Sequence, residues 1–372
     1  MTPPRLFTPF AIRRTVLRNR IVVSPMCQYM ARDGYMQDWH LGHHSRFALG
    51  GFGCVFVEAT AVLRDGRITP GCTGIWEDGQ IVRLKQVSDL LRAHGAVPAI
   101  QIGHAGRRAS MARPWDGAQP LPADGVEKPW ITVGPSAVPE KEGYPVPREL
   151  TAAEITEVIG AFVAAARRAL AAGFEILEIH GAHGYLLHSF VSPVSNRRGD
   201  AYGGSLAKRM RLPLAVAEAV RQAWPDDRPL FYRLSAVDGV EGGLAIEDSI
   251  ALANALKALG VDVIDCSSGG IAGSVTLSGR KLKRGFQVPY AEAIRHAAAM
   301  PTMAVGAIID APQAEAILAG GQADLIAIGR AALADPNWPY HAALTLGLAD
   351  PYAVLPKQYG FYLERRALVL ED

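Results

Sequence analysis

The sequence predicts a single (β/α)8 barrel, and three observations support this fold class. Eight short runs rich in β-branched residues alternate with helical stretches along the 372 residues, which is the number of repeats that a barrel requires. No Gly-x-Gly-x-x-Gly turn follows an early strand, which argues against a doubly wound dinucleotide-binding sheet. Polar side chains stand at the C-terminal ends of most strands, on the face of a barrel that carries function.

The predicted strands and helices follow each other in regular order. Apolar, β-branched runs predict strands at residues 21–26, 54–62, 96–104, 175–181, 230–237, 261–268, 301–308 and 323–330. Helical patterns are found at residues 39–49, 81–93, 151–172, 206–223, 246–259, 290–299 and 312–318. The third of these helices begins with a capping box, in which Thr151 and Glu154 satisfy backbone N–H groups of the first turn.

The length of the chain favours two or three domains by itself, but the pattern favours one. At about 150 residues per domain the expected number exceeds two, yet no break separates the eight repeats. We therefore expect residues 1–372 to form one barrel with three additions. These are an N-terminal entry segment, an insertion after strand three at about 105–149 that covers the barrel mouth, and a tail at about 339–372.

Composition excludes several classes of protein. The chain has 38 Lys and Arg against 36 Asp and Glu, a net charge of +2, which provides no basic surface for nucleic acid. We find no apolar stretch suited to spanning a membrane and no secretory leader at the N-terminus. The four cysteines are widely separated and form neither a CxxC metal motif nor a disulfide framework, so we expect a cytoplasmic protein.

Two histidines at the end of the fourth predicted strand are the most informative polar residues. His180 and His183 could be metal ligands with Glu178 or His188 as a third, but the intervening glycines disfavour a helix that would align such ligands. They could also be hydrogen-bonded core histidines. The interpretation that we favour is a pair of imidazole donors for a developing oxyanion, with Tyr185 beside them as proton donor.

Glycines and arginines at other strand ends indicate an anionic ligand. Gly306 follows strand seven, and Gly329 and Arg330 follow strand eight, where barrels hold phosphate groups, although these glycines could simply end strands. Arg233 lies within strand five, and a buried arginine requires an anion or a row of carbonyl groups. The basic run at 280–284 is more typical of a solvated loop, but it is placed where it could meet ligand phosphates.

Longer motifs resemble those of the old yellow enzyme family of flavin-dependent ene-reductases. The main one is HGAHGYLLHSFVSPVSNRRGDAYGGS at 180–205, and the others are LFTPFAIRRTVLRNRIVVSPMCQY, QIGHAGRR, FYRLSA and AIGRAALADPNW. Together they extend the resemblance over essentially the whole chain. Cys27 followed by Tyr29 resembles the bacterial, thermophilic-like branch typified by YqjM and xenobiotic reductase.

This resemblance implies a barrel that binds FMN without covalent attachment, with NADPH or NADH as reductant. The residues expected to contact FMN are Ser24, Pro25, Met26, Cys27, Ala59, Gln101, Arg233, Gly306, Gly329 and Arg330. Arg233 would face the N1/O2 edge of the flavin, and Cys27 would modulate the flavin potential instead of acting as a nucleophile. The residues expected to contact substrate are Tyr29, His180, His183, Tyr185, Tyr362 and Arg365, the last two from the tail of a neighbouring subunit.

The reaction that the resemblance implies is reduction of the activated C=C bond of an α,β-unsaturated carbonyl compound, such as an enone or maleimide. Nitro compounds and quinones are further candidate substrates. Hydride would come from flavin N5 and the proton from Tyr185. We expect a homodimer or homotetramer, no metal, and no nucleic-acid or membrane partner. The alternative is a flavin-free barrel, either an isomerase or aldolase or a binding protein for a phosphorylated ligand.

Overall fold

A computed structural model contains the predicted barrel and describes residues 3–272 and 282–369. Eight parallel strands form a closed ring in which each strand pairs with its neighbours in sequence. The last strand pairs with the first through Ile326 and Ile21, which closes the barrel. In chain order the barrel strands are β1 Ile21–Val23, β2 Cys54–Ala61, β3 Val97–Gly103, β4 Ile176–Gly181, β5 Leu230–Ser235, β6 Val263–Ser267, β7 Thr302–Ala304 and β8 Leu325–Ile328.

Helices connect the strands and surround the barrel. The capping box at the start of the third helix is confirmed, because the Thr151 hydroxyl accepts from the Glu154 N–H, and the Glu154 carboxylate accepts from the Thr151 N–H. The helices are α1 Asp38–Leu49, α2 Ile81–Ala93, α3 Ala152–Ala171, α4 Leu186–Val191, α5 Leu206–Arg209, α6 Arg211–Ala223, α7 Ile246–Ala258, α8 Val288–Ala298, α9 Ala311–Ala319, α10 Arg330–Ala334, α11 Trp338–Thr345 and α12 Lys357–Val369.

The order of the predicted elements is confirmed, but several boundaries were wrong. Strand β7 ends at Ala304 instead of residue 308, because Gly306 and Ala307 adopt positive φ angles of 111° and 51° and turn the chain out of the sheet. The predicted helix 206–223 is divided into α5 and α6, since Pro213 has no N–H to donate to the carbonyl group four residues earlier. Helices α4, α10, α11 and α12 were not predicted.

The barrel interior changes from apolar to polar along the strand direction. Side chains at alternate strand positions point inward, and those nearest the N-terminal ends form an apolar core. A separate N-terminal hairpin, made of the antiparallel strands Phe10–Ile12 and Thr15–Leu17, adds Ile12 and Leu17 to this core. This core contains Ile12, Leu17, Val22, Cys54, Phe56, Val97, Ala99, Ile176, Phe231, Val263, Met303, Leu325 and Ala327. Two residues further along four of these strands come Gln101, Glu178, Arg233 and Asp265, all buried. A polar layer therefore lies between the apolar core and the barrel mouth.

The segment between β3 and α3 crosses the mouth and is fixed by arginine side chains. The guanidinium group of Arg107 donates to the carbonyl group of Ile271, in the loop after β6. Arg113 donates from Nε to the Tyr29 carbonyl oxygen at 3.2 Å, in the loop after β1. The predicted insertion is thus in contact with loops from distant parts of the chain. Among the described residues, no helix is both long and apolar enough to cross a membrane.

The apolar shell between the strands and the helices allows a direct test of this packing. Phe162 on α3 is completely buried in that shell, and its replacement by alanine removes a large side chain from a closely packed core. We expect Phe162→Ala to lower the free energy of unfolding by about 3–5 kcal/mol, measured by urea denaturation. Glu157→Ala, on the exposed side of the same helix, should change it by less than about 0.5 kcal/mol. Equal effects of the two substitutions would contradict this packing.

Candidate active site

The C-terminal ends of the strands surround a cavity of about 990 Å³. Seven of the residues predicted from sequence line it, and they come from β5 and from the loops after β1, β4, β7 and β8. These residues are Tyr29, His183, Tyr185, Arg233, Gly306, Gly329 and Arg330. A small side cavity of about 10 Å³ beside it is lined by Ala59, His180 and Tyr185, among others. The structure therefore brings together residues that are up to 301 positions apart in the chain, from Tyr29 to Arg330.

The turn after β4 places the two histidines and the tyrosine, and its backbone is unusual. His183 and Gly184 both adopt left-handed conformations, with φ angles of 60° and 75°. A Cβ atom at Gly184 would lie 2.3 Å from the carbonyl oxygen of Gly270, so only glycine fits between the two loops. This close approach is a steric reason for the glycine in the sequence His-Gly-Tyr.

Three hydrogen bonds to residues outside the turn hold it in this conformation. The N–H of His183 donates to Ser235 Oγ at 3.0 Å, and Arg108 Nη1 donates to the His183 carbonyl oxygen at 2.7 Å. The N–H of Gly184 donates to His188 Nδ1 at 2.8 Å. Because a left-handed non-glycine residue is unfavourable by itself, these contacts are what maintain the conformation that aims His183 into the cavity.

His188 is a positioning residue in this arrangement and is not a ligand. Its Nδ1 accepts from Gly184, so its proton lies on Nε2, which donates to Asp238 Oδ1 at 2.8 Å. Burial opposes ionisation of Asp238, but the bonds from His188 and the Leu244 N–H lower the pKa of that carboxyl group overall. The buried pair therefore connects the β4 turn to the loop after β5.

The three side chains at the turn form one cluster of nearly perpendicular rings. The ring centroids of His180 and Tyr185 lie 4.9 Å apart, with an angle of 82° between the planes. Those of His180 and His183 lie 5.1 Å apart at 84°. Arg108 extends along the cluster, with its guanidinium carbon 5.8 Å from the Tyr185 ring. The cluster presents two imidazoles and a phenol to a single small region of the mouth.

Burial determines the protonation state of this cluster. It lowers the pKa values of His180 and His183 well below the ordinary histidine value, and the positive charge of Arg233 adds to this effect. Burial also raises the pKa of Tyr185, and Arg108 opposes that rise only in part. At neutral pH the cluster therefore contains two neutral imidazoles and a protonated phenol.

Hydrogen bonds fix the tautomers of the two imidazoles. His180 Nδ1 accepts from the Ala182 N–H at 3.2 Å, which leaves the ring proton on Nε2. His183 Nε2 lies 2.6 Å from Ser267 Oγ, and Ser267 in turn donates to Gln287 Oε1 at 3.3 Å. In this chain of bonds His183 is the donor. Each imidazole thus has one N–H, and that of His183 is already engaged with Ser267.

Cys27 and Tyr29 lie together in the loop after β1, near enough to Tyr185 to affect its pKa. Burial raises the pKa of the Cys27 thiol, and the neighbouring Cys72 and Glu58 raise it further. The Tyr29 hydroxyl group is hydrogen-bonded to Cys27, and burial raises the pKa of Tyr29 as well. A raised pKa favours the neutral thiol over the thiolate, and the expected role of Cys27 as a modulator of the flavin potential stays a prediction.

Arg233 lies at the floor of the cavity with only part of its hydrogen-bonding capacity used. Its Nη1 donates to Ser24 Oγ at 3.3 Å. Its Nε lies 3.2 Å from Asp265 Oδ2, but the N–H is not aligned with that oxygen and has no hydrogen-bond partner within residues 3–272 and 282–369. Gln101 Nε2 donates to Glu178 Oε1 at 2.8 Å in the same layer. An acceptor above this layer would complete the bonds of Arg233.

The far end of the cavity contains the predicted phosphate-binding residues. A Cβ atom at Gly306 would lie 2.6 Å from Gln287 Nε2, whereas one at Gly329 would meet Met26 only at an ordinary 3.6 Å. A side chain at Gly306 would clash with its neighbours, and its φ angle of 111° also favours glycine. Gly329, in contrast, leaves space beside the cavity. Arg330 is exposed there, and no carboxylate of residues 3–272 or 282–369 pairs with it. Arg284 of the basic run pairs instead with Asp310, and residues 280–281 lie outside the described residues.

Other predicted residues lie near the mouth or far from it. Pro25, Met26 and Cys27 are half-buried in the loop after β1. Tyr362 and Arg365 are on α12, and neither lines the cavity of its own chain. Arg365 instead covers the ring of Phe361, 4.5 Å from its centroid. Their predicted role in a neighbouring subunit remains a prediction.

Sequence reasoning missed a set of residues that support the site. Arg108, Ser235 and Ser267 bond to the cluster or to its turn directly, and Asp238 and Gln287 do so through His188 and Ser267. The available signal for Ser235, Asp238 and Ser267 was their position at or just after strand ends. The predicted alternative of a metal site is not supported, because the described part of the chain contains no cluster of three histidine, cysteine or acidic residues able to hold a metal ion.

The residues present fit FMN on three structural grounds. The cavity is large and continuous from Arg233 to Arg330. The buried Nε of Arg233 finds no hydrogen-bond acceptor among the described residues, as expected where the polar edge of a heterocycle binds. The cation of Arg330, which no carboxylate of the described segments pairs with, and the space beside Gly329 suit a phosphate group. Arg233, Ser24 and Gln101 would hold the ring end, and Gly306, Gly329 and Arg330 the phosphate end.

Comparison with known proteins identifies the family. The model of the NADH:flavin oxidoreductase / NADH oxidase family matches residues 5–348. The chain is 44% identical to the NADPH dehydrogenase of Geobacillus sp. (strain WCH70) over 344 residues, which cover 92% of this chain and 94% of that protein.

Solved structures lead to the same result. Morphinone reductase superposes with a TM-score of 0.76 at 27% identity, covering 92% of this chain and 90% of the other. A 2-naphthoyl-CoA reductase superposes with a TM-score of 0.82 at 26% identity and covers 94% of this chain, which spans about half, 53%, of that longer protein. The chain belongs to the NADH:flavin oxidoreductase / NADH oxidase family, the old yellow enzyme family that its motifs resemble, and is an FMN-dependent oxidoreductase.

Proposed function

We propose that this enzyme uses NADPH, or NADH, to reduce the activated C=C bond of α,β-unsaturated carbonyl compounds. Enones and maleimides are the expected substrates, with nitro compounds and quinones as further candidates. The observation that carries the proposal is the cluster of His180, His183 and Tyr185, which places two neutral N–H donors and a protonated phenol around one region of the cavity.

The division of labour between cofactor and protein follows from the site. Bound FMN would supply the hydride chemistry that links the nicotinamide to the β-carbon of the substrate, held by Arg233, Ser24 and Gln101 at its ring end and by Gly306, Gly329 and Arg330 at its phosphate end. The protein binds and orients the substrate and provides the proton. Arg233 supplies a fixed positive charge at the floor of the cavity, where its burial strengthens its electrostatic interactions.

The two imidazoles are suited to bind a carbonyl oxygen that gains negative charge. His180 directs its proton to Nε2, and His183 has an N–H that Ser267 and a substrate oxygen can share in a three-centre bond. Both rings are neutral because burial lowers their pKa values. They therefore act as hydrogen-bond donors that need no rearrangement as the oxygen becomes charged.

Tyr185 is suited to protonate the α-carbon. Its phenol contacts the His180 ring edge-on and lies beside the cation of Arg108. Because burial raises the pKa of Tyr185, the hydroxyl group keeps its proton until the enolate needs it. Arg108 can then stabilise the charge that the phenol acquires on giving up that proton.

The relatives support the substrate class and the reductant. Related proteins from Geobacillus and Listeria are named NADPH dehydrogenase, and one of the similar structures is morphinone reductase in complex with tetrahydroNAD.

For the working form we propose a cytoplasmic homodimer or homotetramer, in which residues 1–372 act as one FMN-binding domain. In it, Tyr362 and Arg365, which are exposed on α12, complete the site of a neighbouring subunit.

An anaerobic titration tests the proposed function. The purified protein with FMN bound should lose its flavin absorbance when NADPH is added, and a panel of enones should then restore it. Light scattering on the same sample gives the oligomeric state. If NADPH reduces the flavin but no enone reoxidises it, the enzyme does not reduce enones. If NADPH and NADH both fail to reduce the flavin, the proposed reductant is wrong.

Replacing the two imidazoles should affect the oxidation of the enzyme by substrate. We expect His180→Ala together with His183→Ala to lower the rate of enone reduction by about 10³-fold or more, because an oxyanion donor is worth about 10²–10³-fold. FMN binding should remain. His183→Asn, which keeps an N–H donor, should retain far more activity than His183→Ala. Unchanged turnover in the double variant would contradict the oxyanion role.

Removing the phenol proton should separate the two half-reactions. We expect Tyr185→Phe to slow reoxidation by an enone by about 10²–10⁴-fold and to leave reduction by NADPH nearly unchanged, as measured by stopped flow. Because burial raises the Tyr185 pKa, the wild-type reoxidation rate should stay level from neutral to mildly alkaline pH. Tyr202→Phe, outside the cavity, is the control. A larger effect on the reductive half would exclude Tyr185 as the proton donor.

Replacing Cys27 should alter the flavin potential without stopping turnover. The thiol is neutral and hydrogen-bonded to Tyr29, so its loss removes one polar contact from the mouth. We expect Cys27→Ala to shift the midpoint potential by about 30 mV, the equivalent of one modest interaction in a two-electron couple. Cys27→Ser should shift it less. An inactive Cys27→Ala variant with normal FMN content would indicate an essential thiol instead.

A further inference from the structure

Three ionisable side chains share the polar layer beneath the cavity, and the reaction proposed above uses only one of them. Glu178 and Asp265 are completely buried, and Arg233 is 6% exposed. They come from β4, β5 and β6, which are adjacent in the barrel, and Asp265 stands opposite Arg233 in the strand register. Below them is the apolar core that contains Phe231 and Val263, so water is excluded from that side.

The hydrogen bonds of the two carboxyl groups are incomplete without an additional proton. Glu178 Oε1 accepts from Gln101 Nε2 at 2.8 Å. Glu178 Oε2 and both oxygens of Asp265 have no donor among residues 3–272 and 282–369. The two carboxyl groups are nevertheless within hydrogen-bonding reach of each other. Two ionised carboxylates cannot bond to one another, whereas a carboxylic acid and a carboxylate can share one proton.

The charges in this layer also indicate one proton on the two carboxyl groups. If all three groups were ionised, the layer would contain two negative charges and one positive charge, a net charge of −1 in a dry part of the barrel. A buried charge without a partner is strongly unfavourable, and the usual response is uptake of a proton. One proton on the carboxyl pair makes the layer neutral while Arg233 keeps its own charge.

The contacts indicate which carboxyl group holds the proton. Asp265 Oδ2 is 3.2 Å from Arg233 Nε, so the cation stabilises the ionised form of Asp265. Glu178 has an amide donor on one oxygen and a free second oxygen, the arrangement of an acid that accepts at C=O and donates at O–H. Burial and the neighbouring Asp265 raise the pKa of Glu178 well above its ordinary value, and burial raises that of Asp265 against the opposing effect of Arg233.

We propose that Glu178 is a neutral carboxylic acid that donates to ionised Asp265, and that this acid–carboxylate pair positions the Arg233 guanidinium under the cofactor. The part about the cofactor rests on the proposed FMN site. Asp265 holds Arg233 from one side and Ser24 holds it from the other. The protonated Glu178 fixes Asp265 without adding a second negative charge, which would cancel the effect of Arg233 at the floor of the cavity.

Infrared spectroscopy of the wild-type protein tests the protonation state directly. We expect a carboxylic acid C=O band at neutral pH that shifts in D2O, both with and without FMN. Labelling glutamate carboxyl groups with ¹³C should shift this band, labelling aspartate should not, and Glu178→Gln should remove it. Absence of the band, or a shift with labelled aspartate instead, would overturn the proposal. Because the apoprotein should give the same band, this result is independent of whether the enzyme reduces enones.

Amide substitutions test the positioning of Arg233. Glutamine at position 178 keeps an N–H donor for Asp265 and has no proton to lose, so Glu178→Gln should change the FMN dissociation constant by less than about threefold and leave the midpoint potential nearly unchanged. Glu178→Gln combined with Asp265→Asn leaves Arg233 without a carboxylate. We expect at least about tenfold weaker FMN binding and a more positive potential, because an uncompensated cation favours added electrons.

The comparison of the two variants is decisive for the positioning role. If Glu178→Gln alone disturbs FMN affinity and potential as much as the double substitution does, Glu178 is ionised in the wild type and the proposal is wrong. If the double variant does not fold, the labelled infrared spectra of the wild type and of Glu178→Gln still decide the protonation state. If the wild-type enzyme shows the expected infrared band but does not reduce enones, the proposed function is wrong and the carboxyl pair is not affected.

Discussion

Closure of eight parallel strands into one ring determines which side chains face the barrel interior, and the site depends on this constraint. Inward positions alternate along every strand, so a shift of one residue would turn the whole set outward. In this chain the alternation brings Phe231 into the apolar core and Arg233 into the layer above it. The same step leads from Ile176 to Glu178 and then to His180 on β4. A gradient from apolar to ionisable groups is thereby built by strand register alone.

Desolvation then sets the chemical character of the groups that the register has placed. The mouth contains imidazoles, phenols, thiols and carboxyl groups, and burial shifts the pKa of each toward its neutral form. Arg233 pairs with Asp265 in the layer beneath these groups. The result is a set of neutral hydrogen-bond donors above a buried cation, which is the environment that a redox cofactor and a carbonyl substrate both require.

Much of the fold and part of the site follow from local sequence, and the remainder depends on contacts between distant segments. The eight strands were predictable because each is a short apolar run, and the capping box at Thr151 is a contact between neighbours in the chain. Seven of the residues that line the cavity were predictable from motifs and strand ends, whereas Arg108, Ser267 and Gln287, which also line it, were not. The bond of Arg108 to the His183 carbonyl joins residues 75 positions apart, and that of His188 to Asp238 joins residues 50 apart. No local pattern encodes such pairs. The break before α6 follows from Pro213, which is a local signal. The prediction of one helix over 206–223 relied on the apolar periodicity and did not use it.

The arginine contacts of the segment after β3 have a consequence for protein engineering. Arg107 reaches the loop after β6, Arg108 the turn after β4, and Arg113 the loop after β1. Loops on barrels are commonly exchanged as modules because each is anchored only to its own strand. Here the segment is anchored to three others through main-chain carbonyl groups, whose positions do not depend on side-chain identity. A transplanted segment that keeps these three arginines can therefore be accepted by a different set of loop sequences, whereas one that lacks them would lose its attachment to the rest of the mouth.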